Sequence, residues 1–305
     1  MVADVCEFEQ VEAVAQIAVE EYGWLDTWVH LAAVGLFAPF DQTQPEEFKR
    51  VVDVDLMGQV YGAMAALPRI KREGRGALVH ISSVVGARRP NTAAMTLAGA
   101  YPERFVLGVG VSHRPMVEMR GHDYSSPLSN MRSYLKDMRQ ARFEAVPPEH
   151  APPWIIAALG PRMLELSRDL ADGAHPYLVT PQHTAGAREI LGEGPLLVVE
   201  QAVAPTRERE KALRLARSHL SPYMRLPNYC NSWLRQGFSE QDLSDDGSDR
   251  LAEGLVAWGS ESDIQRRVSD HFSAGADQVC VQVLTDGAAE GLRERWRHLA
   301  PILLG

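Results

Sequence analysis

Two hydrophobic periodicities alternate along most of this 305-residue chain. Near its start, Val11, Ala15 and Ala18 recur at helical spacing with glutamates between them, which predicts an amphipathic helix over residues 7–22 ending at Gly23. Short apolar runs then alternate with longer helical patterns. Because strands that alternate with helices form parallel sheets, the pattern predicts an α/β protein.

The predicted strands are short apolar runs bounded by glycine, proline or polar residues. They are Thr27–Val34, Ala77–Ser82, Phe105–Val111, Trp154–Leu159, Ala174–Val179, Leu196–Ala202 and Gln278–Leu284. We expect them to be parallel members of one sheet, either doubly wound or closed into a (β/α)₈ barrel. Residues 207–254 are mostly helical and interrupt the alternation, which indicates an insertion.

Composition and charge narrow the possible functions. A hydrophobic content of 45% is typical of a globular protein, and a net charge of −9 argues against nucleic-acid and membrane partners, whose surfaces are anionic. The three cysteines, Cys6, Cys230 and Cys280, lack metal-binding spacing. No apolar run reaches the roughly 20 residues that span a bilayer. We expect a cytoplasmic protein with no metal and a small-molecule substrate; the sequence leaves open whether it is a homodimer.

Residues 4–90 resemble the middle of a short-chain dehydrogenase. The matching segments are the helix before Leu25-Asp26, then Val29–Gly35, Asp53–Gly58 and His80–Gly86. That family binds NAD(P) on a Rossmann fold and moves a proton with Ser, Tyr and Lys. The resemblance therefore raises a residual NAD(P)-dependent dehydrogenase as one hypothesis.

Several residues that a dehydrogenase needs are replaced in this segment. Ser83 matches the family's serine, but other positions differ: His30-Leu31-Ala32-Ala33 for Asn-Asn-Ala-Gly, Asp55 for Asn, Thr96 for Tyr and Ala100 for Lys. Tyr101 has no lysine one turn away that would lower its pKa. The family's glycine-rich phosphate turn would fall ahead of Met1. The sequence thus argues against NAD(P) binding and favours a scaffold role for this segment.

From Thr92 onward the chain resembles the luciferase-like monooxygenase superfamily, within it the branch that uses coenzyme F420. The matching segments are Ala100–His113, Ala157–Leu164, Ala171–Tyr177, Leu226–Tyr229 and Ala274–Val283. The resemblance implies an incomplete or chimeric (β/α)₈ TIM-like barrel with parallel strands and a helical insertion. It divides the chain into a dehydrogenase-like βα fragment, 1–90, packed into the same sheet, and a barrel portion, 91–305, with the insertion 207–254.

The barrel resemblance places the cofactor at the carboxyl ends of the strands, and two loops there are predicted to bind it. The first contains Gly108, Gly110 and Ser112, whose small size leaves room for a flat ring or a phosphate. The second contains the four residues Ala158, Leu159, Gly160 and Pro161, which open a helix whose amides can hold a phosphate.

Other polar residues are candidates for the same pocket. His113 is the predicted catalytic residue, as a hydrogen-bond donor or proton carrier, although a solvent-facing loop histidine explains it equally well. Alternation puts His175 and Tyr177 on one face of their strand, and Tyr177 is predicted to contact the cofactor. Either Glu200 or Gln201 is expected to face the pocket. Three residues of the insertion could cover its mouth or cap a helix: Asn228, Tyr229 and Asn231.

The leading hypothesis is an oxidoreductase that moves a hydride between coenzyme F420, or alternatively FMN, and an organic substrate. In such an enzyme the cofactor supplies the chemistry and the protein supplies position and electrostatics. The competing hypotheses are a catalytically inactive fusion scaffold, possible because the first barrel strand is not recognisable, and the residual dehydrogenase.

Overall fold

A computed structural model describes residues 2–34, 42–72, 77–81, 89–100, 102–119, 121, 123–141, 143, 147–286 and 289–304. The chain forms two compact units, Met1–Trp154 and Ile155–Gly305. Within the described residues, no helix is long and apolar enough to cross a membrane.

The first unit contains three parallel strands with helices between them. Its elements are α1 (Phe8–Tyr22), β1 (Thr27–His30), α2 (Pro45–Val51), α3 (Gly58–Arg72), β2 (Ala77–Ile81), α4 (Arg89–Ala100), β3 (Phe105–Val109), α5 (Arg114–Met119) and α6 (Pro127–Gln140). A π-helical turn, Val52–Met57, joins α2 to α3. β1 pairs with β2 and β2 with β3, all in parallel. The predicted order of these strands is confirmed.

The core of the first unit lies where α1 and α3 pack against the strands. Val11 and Ala15 on α1 are buried with Ala66 and Ile70 on α3 and Leu78 on β2. The apolar stripe predicted over residues 7–22 is therefore the face that α1 buries, and the left-handed Gly23 ends the helix.

The second unit continues the parallel alternation. Its elements are β4 (Trp154–Ala157), α7 (Pro161–Leu170), β5 (Gly173–His175), α8 (Pro181–Leu191), β6 (Leu196–Ala204), α9 (Arg209–Leu220), α10 (Pro227–Arg235), α11 (Asp249–Leu255), β7 (Val256–Trp258), α12 (Glu261–Ser273), β8 (Gln278–Val283) and α13 (Ala289–Leu304). β4 pairs with β5 and β5 with β6, while β7 and β8 both pair with β6. The predicted parallel arrangement of β4, β5, β6 and β8 is confirmed.

Two features of this unit differ from the prediction. β7 was not predicted, because three residues are too few to show a periodic pattern. Strand ends also differ: β4 stops at Ala157, β5 at His175 and β8 at Val283, earlier than predicted, whereas β6 continues past Ala202 to Ala204. After β5, Leu178 has a left-handed backbone (φ 55°), which breaks the extended conformation. The insertion is helical as predicted: α9 and α10 lie inside residues 207–254, and α11 ends one residue beyond them at Leu255.

Gly173 on β5 is required by close packing between strands. A Cβ at this position would overlap the carbonyl oxygen of Leu196 and lie 2.6 Å from Cδ1 of Ile155. We expect Gly173→Ala to lower the free energy of unfolding by about 1–3 kcal/mol, because neither neighbour can move without disturbing the sheet. Urea unfolding of both proteins measures this. The matched control is Gly194→Ala, where the added Cβ meets nothing within 4 Å; equal losses in the two variants would contradict the packing explanation.

Candidate functional site

The first predicted cofactor loop follows β3 in the first unit. Gly108 lies in β3, and an added Cβ there would meet nothing within 4 Å, so the space expected beside it exists. Ser112 is left-handed (φ 60°), and its carbonyl oxygen accepts a hydrogen bond of 2.9 Å from the Tyr124 hydroxyl. His113 is half-buried, and burial lowers the pKa of its imidazole. Gly110 lies between β3 and Ser112.

The dehydrogenase-like residues of the first unit have structural contacts where they are described. The Asp55 carboxylate accepts a 2.8 Å hydrogen bond from the amide of Val34, so it ties the π-helical turn to the segment after β1. His30 is buried at the end of β1. Ser83 and Tyr101 lie outside the described residues, and Thr96 is an exposed residue of α4.

The second predicted loop, 158–161, lies at the start of α7 in the second unit. Gly160 is the residue before the helix and Pro161 is its first residue. The Ala158 amide donates to the carbonyl oxygen of His175 (3.3 Å), so it belongs to the sheet rather than to a binding site. The predicted phosphate contact therefore depends on the amides of Leu159, Gly160 and Arg162, near the positive end of the α7 dipole.

An arginine from the insertion stands beside this helix start. Nη2 of Arg235 lies 3.5 Å from the position that a Cβ on Gly160 would occupy. A cavity of about 230 Å³ opens beside it, lined among others by Leu159, Pro161, His183 and Arg235. Positive potential from a helix start and from a guanidinium thus meet at Gly160, which suits an anion.

The end of β5 and the middle of β6 bring a second group of polar residues together. On β6, Leu197 and Val199 pack against α7 and α8, so the next residue, Glu200, points to the opposite face. Cys280 is its partner on β8. We call this the polar face; its residues are His175, Tyr177, Glu200, Cys280 and Gln282.

Tyr177 is surrounded by polar and aromatic groups on the polar face. Its hydroxyl donates to Oε1 of Gln282 (2.9 Å), lies 3.3 Å from Nε2 of His219, and accepts a long 3.4 Å contact from the Tyr223 hydroxyl. The ring of Tyr229 also packs near it, with centroids 6.4 Å apart. Burial, more than any charge, raises the pKa of Tyr177, so the phenol keeps its proton and acts as a donor.

Glu200 and Trp233 hold the backbone of Leu178 in its left-handed conformation. The Leu178 amide donates to Oε2 of Glu200 (3.1 Å), and its carbonyl oxygen accepts from Nε1 of Trp233 (3.0 Å). Only 4% of Glu200 is exposed, and its Oε1 has no hydrogen-bond partner among the described residues. Burial raises the pKa of Glu200 to about 7, opposed by the Leu178 amide. A carboxyl group that titrates near neutrality is suited to proton transfer.

The structure separates Glu200 from Gln201, which the sequence left as alternatives. Gln201 points to the helix side of β6, where its Oε1 lies 2.9 Å from Nε2 of His271 on α12. Nδ1 of His271 lies 2.8 Å from Oγ1 of Thr184 on α8. This fully buried network joins the sheet to two helices, so Gln201 has a structural role and Glu200 is the candidate for chemistry.

The sequence gives little indication that several of these residues belong to the site. Arg235, His219 and Tyr223 come from the insertion, and only the fold brings them to the carboxyl ends of β4 and β5. Of the three insertion residues predicted to cover the site, Tyr229 is buried beside Tyr223, whereas Asn228 and Asn231 are exposed. In the part of the chain that is described, no three His, Cys, Asp or Glu side chains are grouped as metal ligands.

Two families match the chain. Residues 82–278 match the family described as luciferase-like monooxygenase. Residues 1–115 match the family described as enoyl-(acyl carrier protein) reductase.

The similarity to curated relatives covers a smaller part of the chain than the family matches do. The uncharacterized oxidoreductase YxnA of Bacillus subtilis is 38% identical over 87 residues, 28% of this chain and 24% of YxnA. Trans-4-hydroxycyclohexanecarboxylate dehydrogenase of Sinomonas cyclohexanicum is 34% identical over 83 residues, 27% of this chain and 32% of that enzyme. The chain thus spans about a quarter to a third of the length of these relatives.

Solved structures show the fold. An F420-dependent secondary alcohol dehydrogenase, solved with an F420-acetone adduct, matches with a TM-score of 0.62 at 14% identity, covering 97% of this chain and 94% of that one. Apo-MsnO8 matches with a TM-score of 0.54 at 18% identity, covering 80% and 82%. The α/β fold with parallel strands is confirmed. Because the luciferase-like match covers more than half of its length, this chain belongs to the luciferase-like monooxygenase family of oxidoreductases and carries a short-chain-dehydrogenase segment at its start.

Proposed function

We propose that this protein transfers a hydride between coenzyme F420, or alternatively FMN, and a small organic substrate. Membership of the luciferase-like family supports an oxidoreductase, and the fold likeness to an F420-dependent enzyme favours the deazaflavin. When bound, the cofactor supplies the ring that accepts or donates the hydride. The residues of this chain bind the phosphate of the cofactor, orient the substrate and transfer the proton.

The observation that carries this proposal is the paired positive potential at the start of α7. The ten-residue helix α7 directs its first amides toward Gly160, and the Arg235 guanidinium stands over the same residue. Both F420 and FMN carry a phosphate, and helix starts and arginine are the groups that proteins use to bind one. The residues present therefore fit an anionic cofactor.

The first-unit loop keeps its predicted role as a proposal. Gly108, Gly110 and Ser112 are small residues at the end of β3, and a neutral His113 beside them suits hydrogen bonding to a flat ring. The sequence predicts no role for NAD(P), and the altered dehydrogenase positions support its exclusion.

Gly160→Asp is expected to weaken binding of the cofactor by roughly 30- to 1,000-fold, equivalent to about 2–4 kcal/mol. The new carboxylate would stand where the phosphate is proposed to lie and would pair with Arg235. Fluorescence titration of purified wild-type and variant protein with F420, FMN and NADPH measures the effect. NADPH is expected to show no binding to either protein.

Gly194→Asp is the matched control, because it adds the same charge at a position where a Cβ meets nothing within 4 Å. It should bind F420 as the wild type does. Unchanged binding to Gly160→Asp would show that the phosphate lies elsewhere. If neither F420 nor FMN binds the folded wild type, the inactive-scaffold hypothesis replaces this proposal; binding of NADPH alone would instead favour the residual dehydrogenase.

A further inference from the structure

The polar face contains a buried carboxyl group with one unused oxygen. Oε2 of Glu200 accepts from the Leu178 amide, whereas Oε1 has no hydrogen-bond partner among the described residues. A buried acceptor without a donor costs stability, so its retention calls for an explanation. A ligand that brings a hydroxyl donor would provide one.

The position of this carboxyl group agrees with a reactive site. The Glu200 amide donates to the carbonyl oxygen of Pro176 (3.2 Å), so Glu200 lies beside Tyr177, just past the end of β5. The Ala158 amide donates to His175, which puts the start of the 158–161 loop next to the same strand end. Tyr177 and the proposed phosphate site thus follow neighbouring strands at their carboxyl ends, where active sites of such folds lie, and Glu200, in the middle of β6, lies beside Tyr177.

Burial favours the neutral form of Glu200. Tyr177 follows β5, Tyr229 is on α10 and Cys280 is on β8, and each of these would gain negative charge on ionising. His219 of α9 and Tyr223 of the following turn contact the Tyr177 hydroxyl. Burial is the main reason that the pKa of Glu200 rises to about 7, so both protonation states are populated near neutrality.

Resting on the proposed hydride transfer, we propose that Glu200 is the acid–base residue and that the substrate is an alcohol or the matching carbonyl compound. The alcohol hydroxyl donates to Oε1 of Glu200, and its oxygen accepts from the Tyr177 hydroxyl, which turns to it from the exposed Gln282. Such a group satisfies the unused acceptor and the neighbouring donor together. A hydrocarbon or an ether would leave Oε1 without a donor.

The proton and electron balance follows from this arrangement. In the oxidation of the alcohol, the carbon-bound hydrogen leaves with its electron pair for the cofactor ring. The O–H bond breaks, its proton goes to the Glu200 carboxylate, and its electron pair forms the C=O bond. In the reverse direction, protonated Glu200 returns the proton to the oxygen as the hydride reaches the carbon.

The first test follows the carboxyl group directly, without cofactor. The infrared C=O band of protonated Glu200 is expected in the wild type minus Glu200→Gln difference spectrum, titrating near pH 7. Adding propan-2-ol or cyclohexanol should shift that band. A missing band, or a band that both alcohols leave unchanged, would overturn the proposal.

The second test uses F420-loaded protein. Wild-type oxidation of the two alcohols should rise with pH to a plateau, with a midpoint near 7, because the base must be ionised. Glu200→Gln should lose roughly 10²- to 10⁴-fold in rate and have a flat pH profile. Tyr177→Phe should mainly raise KM, and the exposed Glu189→Gln should match the wild type. Oxidation of the alcohols by Glu200→Gln at the wild-type rate would show that Glu200 is not the catalytic base.

The two tests separate this inference from the cofactor proposal. If F420 and FMN fail to bind while the alcohols still shift the Glu200 band, the cofactor assignment is wrong and the alcohol contact survives. If F420 binds but neither alcohol is oxidised nor shifts the band, the cofactor site stands and the assignment of Glu200 and its substrate class is overturned.

Discussion

Glu200→Gln is expected to stabilise the protein by about 3 kcal/mol above pH 7, although it removes a charged residue. Burial raises the pKa of Glu200 from 4.5 in its unperturbed form to about 7 in the folded protein. Between these values the folded state holds a proton that the unfolded state has released. The contribution of Glu200 to the free energy of unfolding is therefore fully present below pH 4.5 and is lost as pH rises through 7. Glutamine carries no such proton and can still accept from the Leu178 amide.

Urea unfolding of wild type and Glu200→Gln at intervals from pH 4.5 to 9 tests this expectation. The difference between the two proteins should be smallest at the acidic end and grow until it levels off above pH 7. Glu189→Gln is the control, since Glu189 is exposed on α8. Parallel wild-type and Glu200→Gln curves would show that Glu200 is ionised in the folded protein throughout.

The loss of stability that buried Glu200 causes is expected of a functional residue. A buried carboxyl group with one unused oxygen lowers stability at neutral pH, and stability is commonly lower where a site requires special chemistry. The left-handed Leu178 beside it adds to the same local cost. Leu178 follows β5, and the cofactor phosphate is proposed to bind after the neighbouring strand β4.

The sequence predicted the strands and helices well because their periodic patterns are local. Alternation predicted His175 and Tyr177 on one face of their strand, but β5 ends at His175, so Tyr177 reaches Gln282 from the segment that follows the strand. Alternation could not decide whether Glu200 or Gln201 faces the pocket. Adjacent residues of a strand point to opposite faces, and glutamate and glutamine occur on both faces of sheets. The packing of Leu197 and Val199 against helices resolved this choice.

Contacts made by the insertion could not be predicted from the sequence. Arg235 is separated from Gly160 by several elements, and no periodic pattern links the two. Likewise, the Ala158 amide was predicted to bind phosphate because it opens the loop, yet it completes the sheet by bonding to His175. Such outcomes depend on how distant segments meet, whereas the identity of each element depends on neighbouring residues.

His271→Leu is expected to lower the free energy of unfolding by about 2–5 kcal/mol at pH 7, because leucine leaves Oε1 of Gln201 without its partner and removes a contact of Thr184. His271 is fully buried, and burial, aided by Arg267, lowers its pKa from 6.5 to about 4. The folded protein keeps this imidazole neutral while the unfolded chain binds a proton below pH 6.5. The stability that His271 provides is therefore lost as pH falls from 6.5 toward 4.

The variant should accordingly lose its disadvantage in acid, where the wild type is destabilised and leucine is not. Urea unfolding from pH 4.5 to 8 measures both effects, with the exposed His150→Leu as the matched control. We expect the gap between wild type and His271→Leu to narrow by about 3 kcal/mol across the full titration, since leucine cannot bind the proton. A gap that stays constant with pH would mean that His271 has the same pKa in the folded and unfolded protein, and the hydrogen bonds to Thr184 and Gln201 would then have to be reassigned.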